Sequence, residues 1–90
     1  HKGTIQTVYT LLNGEYEFIE AEIIETSELI NKSLKDSNLP KEVRIGAILR
    51  DNDIIIPRSN FVFKKKDLVV FLSKRDELAK VENIFRISSF

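Results

Sequence analysis

The chain has 90 residues, 42% of them apolar, and its 14 lysines and arginines are cancelled by 14 aspartates and glutamates. That length builds one small domain with a modest core, too small for a substrate domain and a cofactor domain together. The neutral balance gathers neither nucleic acid nor an anionic membrane surface, and the absence of cysteine excludes disulfides and thiolate metal sites and fits a reducing compartment, the cytoplasm.

Thr4 to Leu12 carries two periods at once: Ile5, Val8 and Leu11 sit at helical spacing, while Thr4, Thr7, Val8, Tyr9 and Thr10 favour a strand. The Asn13-Gly14 pair that follows is a strong hairpin signal, and Tyr16 to Ile24 alternates Ile19, Ala21 and Ile23 with Glu20 and Glu22. These features predict strand, tight turn, strand. Next, a short helix is expected from about Ser27 to Asp36. Thr26 or Ser27 would cap it, Glu28 suits its first turn, Lys32 and Lys35 suit its last, and Asn38 with Pro40 stops it. Such a helix is marginal alone and needs a sheet to lie against.

Leu39 to Leu72 packs extended apolar runs between turn signals and predicts an antiparallel meander. Its runs are Val43 to Leu49, Ile54 to Ile56 with Phe61 to Phe63, and Leu68 to Leu72. They are separated by Asp51-Asn52-Asp53, Pro57 to Asn60 and Lys64 to Asp67. Pro57 donates nothing to a ladder, which favours an edge or a break there. Ser73, with Asp76 three residues on, would then cap a final helix whose face is Leu78, Val81, Ile84 and Phe85. Ile87 and Phe90 beyond it are expected to frame a partner contact or to fray. The sum is an α+β domain over residues 1–90, an antiparallel sheet of hairpin-connected strands packed with two short helices, with one sheet face or edge left over for another chain.

Catalytic and metal chemistry is not predicted. Gly3, Gly14 and Gly46 form no phosphate-cradling loop, and the sole histidine is His1. Asp51 and Asp53 read as turn residues rather than cation ligands. Glu15, Glu17, Glu20, Glu22 and Glu25 read as a solvated strand face, and Lys64-Lys65-Lys66 as a solvated turn. No internal histidine or cysteine exists to activate a nucleophile, so an enzyme is not expected. Arg44, Arg50 and Arg58 lie near hairpin ends, where a guanidinium can grip a planar anion, against the plainer role of surface or interface ion pairs. Ile54, Ile55 and Ile56 place isoleucine on both faces of one strand, so one face goes to the core and the other to a helix or a second subunit. His1 in place of a methionine points to a piece of a longer protein, and no apolar run approaches the roughly 20 residues of a membrane span.

The short-helix segment, Leu39-Pro40, the run Val43-Arg44-Ile45-Gly46-Ala47-Ile48-Leu49-Arg50, the turn at Asp51 to Asp53, Ile54-Ile55-Ile56-Pro57-Arg58 and Asp67-Leu68-Val69-Val70-Phe71 together resemble the C-terminal domain of the RCK (TrkA-C) regulators of potassium transport. His1-Lys2-Gly3 and Val81 to Phe85 extend the likeness over nearly the whole chain. The family often has glycine where Asn31 and Lys66 stand. The resemblance implies a cytosolic regulatory domain, peripheral at the inner face of the membrane, that pairs into a homodimer or higher oligomer and acts on an integral-membrane potassium transporter subunit. It implies no cofactor here, with NAD held by an N-terminal Rossmann domain of the parent, and some relatives bind cyclic di-AMP between two such domains. On this reading Leu39, Pro40, Ile54, Ile55 and Ile56 are the expected self-association surface. The alternative is a small-molecule sensor that binds a cyclic dinucleotide or another anion through Arg44 or Arg50.

Overall fold

A computed structural model of the chain describes residues 5–85, so the expected partner contact at Ile87 and Phe90 lies outside the described residues. Five strands form one sheet: β1 (Ile5–Leu11), β2 (Tyr16–Glu22), β3 (Val43–Arg50), β4 (Asp53–Ile55) and β5 (Leu68–Lys74), in the spatial order β1-β2-β5-β3-β4 and antiparallel throughout. One α-helix, α1 (Leu78–Phe85), follows β5 through a single 3-10 turn.

The order corrects the expected meander. β3 and β4 do form a hairpin across Asp51-Asn52, with Asp51 at φ 56°. β5, however, passes β4 and inserts between β2 and β3 as the central strand. Its run Leu68-Val69-Val70-Phe71-Leu72 is apolar without alternation, yet only Val69 and Phe71 are fully buried, Leu68, Val70 and Leu72 being half-buried on the other face. The turn between β1 and β2 is also looser than a two-residue hairpin. Leu11 pairs with Tyr16, and Leu12, Asn13 and Gly14 all take positive φ. Gly14, at φ 91°, lies where a Cβ would come 3.3 Å from the Arg75 guanidinium.

Pleating divides the sheet into two unlike faces. Glu17, Ile19 and Ala21 of β2, Val69, Phe71 and Ser73 of β5, and Val43 and Ile48 of β3 are buried on the inner face. α1 lies on that face through Val81 and Phe85, and Phe85 stacks on Phe71 with ring centroids 5.1 Å apart. Each fully buried Leu, Val, Ile or Phe there contributes about 1.5–3 kcal/mol of transfer free energy. The opposite face carries no second layer among the described residues.

The expected helix over Ser27 to Asp36 does not form. The chain there runs through turns, reverses at Asn31 (φ 66°), and ends in a 3-10 turn, Leu34–Asp36. Its backbone pairs with Phe61 to Phe63 instead. Asn31 donates to the Phe63 carbonyl at 2.9 Å, Phe63 to Lys32 at 3.0 Å, and Leu34 to Phe61 at 2.8 Å, around an isolated bridge from Ser33 to Val62. Pairing satisfies the same amides that a helix would, while letting both Leu29 and Phe63 reach the core. The run from Phe61 to Phe63 is therefore a partner of this loop and not a sheet strand. Ser27 caps no helix: its Oγ accepts from the Leu29 amide at 3.1 Å and donates to the Ile84 carbonyl at 2.9 Å, tying the loop to α1. Ser73 likewise stays in β5, where its hydroxyl donates to the Lys74 carbonyl. Among the described residues the α-helix count is thus one, within the α+β class expected.

Candidate functional site

The two arginines singled out on β3 are six residues apart, and a regular strand would put both on one face. A bulge between Ile45 and Ala47 breaks that parity. Arg44 pairs opposite half-buried Leu72 and points outward, while Arg50 follows buried Ile48 on the inner face.

Arg50 is fully engaged. Its Nε and Nη2 each donate to one carboxylate oxygen of Asp67 at 2.8 Å, and Nη2 also donates to the Val62 carbonyl at 2.9 Å. The guanidinium carbon lies 4.8 Å from the centre of the Phe61 ring. Asp67, 1% exposed, also accepts from the Lys64 amide at 2.8 Å. Donating to the Asp67 carboxylate raises the pKa of the Arg50 guanidinium above its ordinary value, with burial pulling the other way. A planar anion is gripped in bidentate fashion, but it is the protein's own, and its effect is to fasten the loop after Arg58 onto β3.

Arg44 sits in the opposite condition. Its Nη1 donates to the carbonyls of Lys41 and Val43, and among the described residues no carboxylate lies within ion-pair range of it. It stands on a ridge between two hollows. One, of about 430 Å³, is lined by Leu39, Pro40 and Ile45 as its apolar part and by Lys35, Asn38 and Lys41 as its polar part. The other, of about 320 Å³, lies among Tyr16, Lys41, Glu42 and Leu72. Two more cations and an apolar floor around an uncompensated guanidinium suit an anion that carries flat or hydrophobic groups.

The five expected interface residues do not fall together. Leu39 and Pro40 line the larger groove at the start of β3, whereas Ile54 and Ile55 pair with Leu49 and Ile48 at its end, about 20 Å away at ~3.3 Å per residue. Ile55 packs against the core, and Ile54 and Ile56 are each 73% exposed on the sheet's edge. Arg58 enters no salt bridge among the described residues. Two ionic features were not singled out from sequence. Asp67 is expected from sequence only as the end of the Lys64 to Asp67 turn and the start of the run to Phe71. Glu17 had been counted with the solvated glutamates, yet it lies on the inner face and accepts from Arg75 Nη2 at 3.0 Å; its parity with Ile19 and Ala21 could have shown this. Gly14 closes a hairpin and Gly46 lies at the β3 bulge.

Residues 18–86 match the family model described as the TrkA-C domain. The chain is 40% identical over 87 residues to the Trk system potassium uptake protein TrkA of Azorhizobium caulinodans, covering 97% of this chain and 19% of that protein. It thus spans about a fifth of that relative's length. Among solved structures, the GsuK channel superposes with a TM-score of 0.79 over 97% of this chain and 16% of the channel chain at 14% identity, a likeness of fold. The RCK_C domain dimer of S. agalactiae BusR in complex with c-di-AMP superposes with a TM-score of 0.64 over 73% of this chain and 91% of that one, at 26% identity.

Proposed function

The chain belongs to the TrkA-C domain family, and from that premise we propose that it is the non-enzymatic regulatory domain of a potassium-uptake protein, pairing with its own copy and passing effector binding on to a membrane transporter subunit at the cytoplasmic face. The effector site is the groove beside Arg44, and the ligand class is a cyclic dinucleotide such as cyclic di-AMP. One observation carries the choice of site. Arg44 is a guanidinium without a carboxylate partner among the described residues, at the lip of a 430 Å³ groove with Leu39, Pro40 and Ile45 on its floor. The family supports the regulatory role, and the BusR likeness supports the ligand class. Arg50 is left out of the site because Asp67 occupies its fork. NAD, if the longer protein uses it, belongs to a separate domain.

Calorimetric titration of the 90-residue chain with cyclic di-AMP tests this reading. Saturable binding is expected, accompanied by a rise in the melting midpoint, and Arg44→Ala should weaken it roughly tenfold or more, the worth of one charge-assisted contact. Absence of binding, or binding that Arg44→Ala leaves unchanged, removes the groove as the effector site.

A further inference from the structure

Strand β4 ends the sheet: β3 flanks it on one side and, among the described residues, no strand flanks it on the other. Its register shows which backbone groups that open side carries. The turn over Asp51-Asn52 is closed by the opposed pair Arg50 and Asp53, the bonded pair of a two-residue hairpin, and pairs alternate from there between bonded and unbonded. Leu49 and Ile54 come next, so the N–H and C=O of Ile54 point away from β3. Among the described residues, no backbone hydrogen bond from outside the ladder with β3 reaches residues 53–57. The side chains are open as well. Ile54 and Ile56 are each 73% exposed, Leu49 opposite Ile54 is 38% exposed, and Ile55 packs toward the core. Asp51 and Asp53 are exposed at the start of β4 and enter no salt bridge among the described residues, the fork of nearby Arg50 being filled by Asp67. Arg58, also exposed and outside any such salt bridge, follows Pro57 at the other end.

We propose that the β4 edge is a docking site for an extended basic peptide segment of another protein, which adds to the sheet as one more strand outside β4. The edge selects that chemistry. Outward N–H and C=O groups reward a backbone in extended form, as in recognition by strand addition. Leu49 and Ile54 suit apolar side chains at alternate positions of that strand. The two carboxylates call for lysine or arginine beside Asp51 and Asp53, while Arg58 disfavours them at the far end, so charge also sets which end of the peptide lies where. A second copy of this domain fits less well. The three residues of β4 span about 10 Å at ~3.4 Å per residue, and two rigid domains touching along so short an edge bury far less than the roughly 1,000 Å² at which specific interfaces begin. A flexible segment wraps from the backbone edge onto Leu49 and Ile54 instead. The edge lies at the opposite end of β3 from the groove beside Arg44, and the inference does not rest on the effector reading.

Titration of the isotope-labelled 90-residue chain with a blocked hexapeptide alternating lysine and valine, followed through amide chemical shifts, tests it. Saturable shifts are expected at Ile54, at Ile56 and in the turn at 51–53, with slowed hydrogen exchange at the Ile54 amide. The matching glutamate and valine peptide should bind at least about tenfold more weakly. Asp51→Asn with Asp53→Asn should weaken the lysine peptide about tenfold, whereas Glu28→Gln with Glu82→Gln, which removes the same charge from exposed sites elsewhere, should leave it unchanged. Ile54→Pro deletes the outward donor without removing a bond to β3 and should abolish the response, with a circular dichroism melt to confirm folding. If that variant does not fold, the aspartate pair decides. A wild type without saturable shifts, equal binding of the two peptides, or binding that survives loss of both aspartates overturns the proposal. So do shifts at the same amides that appear on concentrating the protein without peptide, because they give the edge to a second copy.

Discussion

The two ends of β3 carry the same residue type in opposite states. At the Arg50 end, the guanidinium, a buried carboxylate, a backbone amide, a carbonyl and an aromatic ring satisfy one another within a few ångströms. At the Arg44 end, the guanidinium meets only carbonyls of its own entry turn, with Lys35, Lys41 and apolar side chains around it and Glu42 in the neighbouring hollow but outside ion-pair range. One end is closed by its own chain and the other is left unfinished. Charge that is internally paired holds a fold together, whereas charge left open beside an apolar hollow is available to a ligand. The one-residue bulge near Gly46 makes the division, because without it both arginines would face the same way.

If the Arg50 end is structural, its removal should be costly in stability. Asp67→Ala deletes a fully buried acceptor and leaves both Arg50 and the Lys64 amide unpaired. A loss of about 3 kcal/mol is expected in urea denaturation, in the lower part of the range for breaking a buried ion pair because Arg50 retains some solvent contact. Arg50→Lys keeps the charge but has one ammonium where a fork held two oxygens and the Val62 carbonyl, so about 1–2 kcal/mol should go. A wild-type midpoint for Asp67→Ala would show that the clamp contributes nothing and that the contrast between the two ends is only apparent.

Much of this could be read in advance, and the failures have physical causes. Strands β2, β3 and β5 and the face of α1 are evident in the sequence because alternation in β2, short runs rich in β-branched residues in β3 and β5, and helical spacing in α1 are local properties. The loop from Ser27 to Asp36 was misread as a helix because its caps and charges are local too, while its true partner, Phe61 to Phe63, lies some thirty residues on. A trace of the answer was present. Asparagine tolerates positive φ, and Asn31 takes 66° here, as Lys66 does at 76°. The isolated Gly46 within a strand was likewise an unread sign of a bulge. That Asp67, of all the acids, would reach Arg50 depends on β5 entering between β2 and β3, which no short window of sequence contains.

The smallest expected effect is the sharpest test of the comparison. Arg44→Ala removes a side chain that bonds only to nearby carbonyls, so the midpoint in urea should move by less than about 0.5 kcal/mol. The same substitution made at the other end of the strand, Arg50→Ala, would strand Asp67 and should cost at least as much as Arg50→Lys. Equal losses from the two alanines would mean that Arg44 also holds the fold together, and the open groove would lose its distinguishing feature. An unchanged fold with Arg44→Ala, by contrast, makes any loss of ligand binding in that variant attributable to the groove itself.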